Sequence, residues 1–187
     1  MVCAAELEPV TPDIFLWRAY DSSIKTELFS TGLETPSGTY LIDPIPLAAE
    51  AMDSLTKTAG VIVTNENHLR SAKAFADQFQ VPIHSAASAA AFPPNLTAVR
   101  IEGAAPGEIA VHSTAGGGVM VIGDALINFD PYGFTFLPSK YCSNSKLMRK
   151  SLAQLLDYPF ERMLFAHGTP LQSRPHERLK ALLKGEH

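Results

Sequence analysis

The chain has 187 residues, of which 46% are hydrophobic and 18% charged, with a formal net charge of −4 and no basic cluster. That length fits one domain, residues 1–187, with a sizeable core. The charge excludes nucleic-acid or anionic-membrane binding driven by bulk electrostatics, and no apolar run approaches the ~20 residues that span a bilayer. The opening segment carries Glu6 and Glu8 without a basic start, so a signal peptide is not expected. Cys3 and Cys142 lie far apart and form no CxxC pattern. Two free thiols in the cytoplasm are the expectation.

Residues 13–21 are rich in bulky apolar and aromatic side chains and predict a strand. Residues 24–30 predict its partner, residues 35–38 a turn, and residues 39–42 a buried strand that ends at Asp43-Pro44. The short links imply an antiparallel meander. Residues 47–57 then show helical composition and spacing, with Gly60 as the stop and residues 61–63 as the next strand. Over residues 69–79, Leu69, Ala72, Ala76 and Phe79 share one helical face. Residues 81–84 predict a strand and residues 85–92 an alanine-rich helical turn closed by Pro93-Pro94. Helix, strand, helix, strand implies a βαβ-like unit with a locally parallel sheet.

The second half opens with a strand at residues 96–101. Residues 108–112 and 118–122 predict a hairpin joined through the glycine run 116–118. Residues 129–144 lack a clear period and contain three prolines or glycines, so a long ordered loop over the site is expected. A helix over 145–156, a strand over 160–166 and a helix over 174–184 complete the chain.

Three polar stretches stand at strand exits: residues 64–70, Gly123-Asp124, and His167-Gly168-Thr169-Pro170. A carboxylate directly after a buried strand is where open α/β layers place their chemistry, which makes Asp124 the centre of the expected site. In this order and spacing, together with Leu41-Ile42-Asp43-Pro44, the chain resembles the metallo-β-lactamase superfamily over nearly its whole length. The resemblance implies an α+β fold, a four-layer αβ/βα sandwich with its site between the ends of two sheets.

The signature of that family is a Thr followed by H-x-H-x-D-H. Here the same place reads Thr64-Asn65-Glu66-Asn67-His68-Leu69-Arg70. Asn65 and Asn67 stand where two metal-binding histidines are expected, Leu69 where the Asp is, and Arg70 where the last His is. Ala104 takes the place of a further His. Asp124 matches the bridging Asp and His167 the final His. Catalytic zinc needs about three protein ligands and one open position, so a two-metal site is not expected.

His68 matches no ligand position of the family pattern and reads as a helix-start residue that caps or packs; the alternative is that it turns in as a third ligand with Asp124 and His167. Arg70 is expected to pair with Asp124, directly or through water, because a buried carboxylate needs a cation. Glu66 and Glu108 read as solvated surface, with approach to the site as the alternative for each, and His84 and His112 read as satisfied surface or core histidines. Cys142, in the long loop, becomes a nucleophile only with a base such as His167 beside it.

The leading expectation is a family member without a bound metal or other cofactor, or with one weakly held ion. It would bind a small molecule in a cleft formed by Asn65, Asn67, His68, Arg70, Asp124 and His167. The alternative is a hydrolase of an ester, thioester or lactone, with one zinc on His68, Asp124 and His167. A non-catalytic protein-interaction module is a third possibility.

Overall fold

A computed structural model describes residues 3–185, leaving aside the side chains of residues 89–91. The first half builds a sheet from β1 (Glu8–Thr11), β2 (Ile14–Asp21), β3 (Thr26–Thr35), β4 (Gly38–Ile42), β5 (Thr58–Ile62) and β6 (Ile83–His84), in that order across the sheet. β1 to β4 are antiparallel neighbours, whereas β4, β5 and β6 run parallel. The parallel links carry α1 (Ala49–Met52) and α2 (Ala72–Phe79). The second half builds a sheet of order β12-β9-β8-β7, from β7 (Leu96–Arg100), β8 (Ile109–Ser113), β9 (Val119–Ile122) and β12 (Arg162–Phe165). β9 and β12 run parallel. The hairpin of β10 (Leu126–Phe129) and β11 (Gly133–Phe136) stands apart, and α3 (Ser145–Leu152) and α4 (Pro175–Lys184) follow their nearest strands. The chain passes from the strands of one sheet to those of the other once, between β6 and β7, through residues 85–95.

Period-two alternation explains the layers. Tyr40 and Ile42 of β4, Ile62 of β5, Val119 and Val121 of β9 and Leu164 of β12 meet between the sheets. The alternate residues turn outwards. Leu41, Val61 and Val63 pack with Ala72 and Phe75 of α2. Met120, Ile122, Met163 and Phe165 pack with Met148 and Leu152 of α3 and Leu179 and Leu182 of α4. Helix, sheet, sheet, helix is the expected αβ/βα sandwich.

Several local expectations are corrected. The helix expected over 47–57 shrinks to α1, and β5 begins at Thr58. Gly60 therefore lies inside a strand rather than ending a helix. A Cβ on Gly60 would stand 2.9 Å from the Tyr40 ring, so the strand needs a glycine there for close packing. Leu69 is 59% exposed and precedes α2, whose buried residues are Ala72 and Phe75. Residues 129–144 are not one long loop. Phe134 and Phe136 alternate within β11, and Phe134 packs on Phe165 with ring centroids 5.9 Å apart. Among the described residues, no helix is long and apolar enough to cross a membrane.

Candidate functional site

Four strand exits meet on one rim: Asp43 after β4, Thr64–Arg70 after β5, Gly123–Ala125 after β9, and Ala166-His167 after β12. Backbone hydrogen bonds lock the two sheets together there. Phe29 N donates to Ala166 O (3.0 Å), Ile109 N to Thr64 O (2.8 Å) and Glu66 N to Pro106 O (3.0 Å).

Asp43 is the deepest member and sits in the left-handed region at φ 49°. Its Oδ1 accepts from Thr64 N at 2.8 Å, and its Oδ2 accepts from Thr64 Oγ1 at 2.5 Å and from His68 Nδ1 at 2.9 Å. Burial alone would raise its pKa, but the nearby His68 and Arg70 cations and the Thr64 hydroxyl hold it below the usual range.

Residues 66–68 form one 3-10 turn, entered through Asn65, whose side chain accepts from Asn67 N at 2.9 Å. This tight turn swings His68 into the core, where it is 3% exposed. The capping-or-packing reading of His68 is thereby corrected: its Nε2 points at Asp124 Oδ1, 3.2 Å away. His167 Nε2 approaches the same oxygen at 3.3 Å, and the two rings lie 5.5 Å apart. His68, Asp124 and His167 each offer a ligand atom, all within 4.8 Å of one another.

Asp124 is held from the other side by Asn65 Nδ2, which donates to its Oδ2 at 3.1 Å and to Glu108 Oε2 at 2.7 Å. Glu108 is not solvated surface. It is 2% exposed, and its Oε1 accepts from the backbone N–H of Asp124 (2.8 Å) and Ala125 (3.0 Å). Burial, then the charge of Asp124, pushes its carboxyl up to about 8. Gly123 makes this approach possible, since a Cβ there would lie 2.6 Å from Thr64 Oγ1 and 2.8 Å from Glu108 Oε1. Glu66 is exposed, as expected.

Arg70 does not bond Asp124 directly among the described residues, so the direct form of the expected pairing is corrected. Asp124 is already occupied by two imidazoles and an amide, while one carbonyl of β3 and two at strand exits converge on the Arg70 guanidinium. Arg70 takes these carbonyls instead: Nη1 donates to Phe29 O (2.7 Å) and Asp43 O (3.0 Å), and Nη2 to Ala166 O (3.5 Å). Its burial lowers its pKa against the pull of Asp43 and Asp124. Asn67 is exposed at the cleft wall. Leu69 points away, and Ala104 is buried in the outer core. Cys142 Sγ packs 3.6 Å from Leu137 O, Pro138 O and Met148 Sδ, and burial raises its thiol pKa, so it lacks the setting of a thiolate nucleophile. His84 and His112 are buried core residues; His112 Nε2 bonds Pro159 O at 2.8 Å.

The donor set fits one small cation. All four imidazole nitrogens of the pair face an oxygen acceptor: His68 faces Asp43 and Asp124, and His167 faces Glu27 O (3.4 Å) and Asp124. A neutral imidazole has one N–H, so each neutral ring leaves one nitrogen lone pair opposed to an oxygen. A proton relieves this at His68, where the charge of Asp43 and bonds to both carboxylates outweigh burial and raise the pKa to about 9. It does not at His167, whose pKa is lowered by burial and by the His68 and Arg70 charges. A cation among the two Nε2 atoms and Asp124 relieves both. The two Nε2 atoms stand 3.2 and 3.3 Å from Asp124 Oδ1 and the three ligand atoms lie within 4.8 Å of one another, close enough to share one cation.

Two cavities open onto this centre. One, of about 330 Å³, touches His68, Arg70, Asp124 and His167; the other, of about 590 Å³, is lined in part by Asn67, Asp124 and His167.

A comparison with curated protein sequences finds no match. Solved structures match across the chain at low identity. The DIM-1 metallo-β-lactamase has a TM-score of 0.69 at 12% identity, covering 98% of this chain and 100% of that one. A metallo-β-lactamase from Pontibacter korlensis has 0.71 at 12%, covering 96% and 98%. One from Hirschia baltica has 0.69 at 10%, covering 95% and 96%. These likenesses establish the fold. The family model described as the metallo-β-lactamase superfamily matches residues 8–104, more than half of the sequence. With sandwich, rim and strand-exit motifs in agreement, the chain belongs to the metallo-β-lactamase superfamily.

Proposed function

We propose that this protein is a hydrolase of a small ester, thioester or lactone, with a single divalent metal held by His68, Asp124 and His167. The observation that carries the reading is the opposed pair of imidazoles around Asp124 Oδ1. A divalent metal held by these three residues would lower the pKa of a bound water and so would supply the nucleophile. Hydrolysis breaks the acyl–oxygen or acyl–sulfur bond, joins the oxygen of water to the acyl carbon and passes a proton to the leaving group.

The chain's own residues prepare this centre. Asp43 accepts a hydrogen bond from Nδ1–H of His68 and so leaves the lone pair of Nε2 facing the cleft. Glu27 O does the same for His167. Asn65 and Glu108 fix the carboxylate of Asp124 and the backbone that bears it. Arg70 supplies a fixed positive charge in the place of a second metal's ligand, which disfavours a second ion.

A metal-free pocket for a small molecule is the second reading. It is favoured by the charge balance of the side chains themselves, where His68 and Arg70 as cations offset Asp43 and Asp124. Metal analysis of protein purified without chelator, followed by calorimetric zinc titration, separates the two. The hydrolase reading expects one metal per chain, lost in His68→Ala and in His167→Ala, and ester hydrolysis abolished by chelator and restored by zinc. No metal and no heat from added zinc would leave the metal-free pocket.

A further inference from the structure

The mouth of the larger cavity concentrates two features that the metal centre does not need. Seven large hydrophobic residues are strongly exposed among the described residues, and four of them stand here: Ile24, Tyr132 and Tyr141 on the cavity wall, and Tyr20 on the adjoining groove. Their exposures run from 54% to 62%, against the general burial of such side chains in this fold. Clustered exposed apolar groups around a concave site mark a ligand surface.

Two lysines share the wall, Lys25 beside Ile24 and Lys140 beside Tyr141. Lys140 Nζ stands 4.7 Å from the centre of the Tyr141 ring. Neither lysine has an ion-pair partner among the described residues, because the neighbouring acids are engaged or placed elsewhere. Asp21 accepts from the N–H and hydroxyl of Ser23 at 2.9 and 2.6 Å. Glu27 pairs with Arg18 at 3.4 Å. Asp130 lines the adjoining groove, which Lys25 also reaches, but no ion pair joins the two among the described residues. Among the described residues, the only carboxylate that lines the cavity is Asp124, already bonded to two imidazoles.

We propose that the substrate is a small ester or thioester with an apolar or aromatic body and one anionic group. The body lies against Ile24, Tyr132 and Tyr141, and the anion faces Lys25 and Lys140. This inference rests on the hydrolase reading for its reaction but not for its ligand chemistry.

The test uses two esters of equal chain length, mono(4-nitrophenyl) glutarate and 4-nitrophenyl valerate, on the zinc-loaded protein. They differ in ending with a carboxylate or a methyl group. We expect kcat/KM for the glutarate to exceed that for the valerate by about fivefold or more, the order given by two partly exposed charge pairs. The ratio should shrink with added salt and fall towards one in the Lys25→Ala/Lys140→Ala double variant. It should persist in Lys57→Ala, a lysine beside Pro36 at the far end of β3. A ratio of one or below, or a ratio unmoved in the double variant, would overturn the inference. If neither ester is hydrolysed, the hydrolase reading fails and calorimetry with 3-phenylpropionate and 3-phenylpropanol decides the ligand chemistry. Preferential binding of the acid that is lost in the double variant sustains it; equal binding or none overturns it.

Discussion

Glu108 meets three donors and no bonded cation, which makes it sensitive to both substitution and pH. Glu108→Ala strands the N–H groups of Asp124 and Ala125 and the amide of Asn65 in a dry place. At about 1–3 kcal/mol for each unsatisfied group, it should cost about 3 kcal/mol or more by urea denaturation. Glu108→Gln keeps an oxygen for the two backbone donors and turns an amide against Asn65, so it should lose roughly a third of that. Equal losses would show that the backbone bonds do not depend on this carbonyl-like oxygen. The titration of metal-free protein follows from the same surroundings. His68 is raised from 6.5 to about 9, so its contribution is fully present below pH 6.5 and is lost as pH rises through 9. Glu108, raised from 4.5 to about 8, is favoured folded when neutral and destabilises increasingly from pH 4.5 up to 8. Asp43 and Asp124, both lowered, stay ionised and Arg70 stays charged across this window, while His167, lowered, is neutral. The Tm in chelator should therefore fall between about pH 6.5 and pH 9. Saturating zinc replaces the His68 proton and should widen the gap in Tm between loaded and metal-free protein over that range; a gap that narrows with rising pH would contradict the ligand assignment.

At the scale of elements, the helix after β5 separates two readings of one amphipathic pattern. Phe75 is 2% exposed and stacks 6.2 Å from Trp17, whereas Leu69 is largely in solvent. Phe75→Ala should cost about 3–5 kcal/mol and Leu69→Ala under about 0.5 kcal/mol, both measured by urea denaturation. The heptad-like spacing of Leu69, Ala72, Ala76 and Phe79 was legible in the sequence, but it cannot tell where the first turn begins. Arg70, at φ 35°, breaks the helix path between Leu69 and Ala72. The strands that carry the site were legible because Val119–Ile122, Arg162–Phe165 and Gly38–Ile42 are apolar runs ended by Gly-Asp, Ala-His and Asp-Pro. Asp124 and His167 followed from those exits. Glu108 was not legible, since a glutamate before a strand is usually solvated and its burial comes from the opposite sheet through Asn65. β11 was hidden because Gly-Phe-Thr-Phe is too short to show a period between its flanking prolines.

At the scale of the molecule, each sheet supplies half of the centre. Asp43, Asn65, His68 and Arg70 come from residues before the crossing at 85–95, and Glu108, Asp124 and His167 from residues after it. The family's usual signature places several ligands within a few residues, but here Asn65, Asn67, Leu69 and Arg70 leave no such local chelate. The three proposed ligands are instead 56 residues apart (68 to 124) and 43 apart (124 to 167). An unfolded or half-synthesised chain therefore presents no preformed claw for a metal. On the proposed reading, loading is strictly the last event, after both sheets have docked. Metal affinity then becomes a gauge of native assembly, and a cell short of zinc would accumulate folded but unloaded protein rather than misfolded chain.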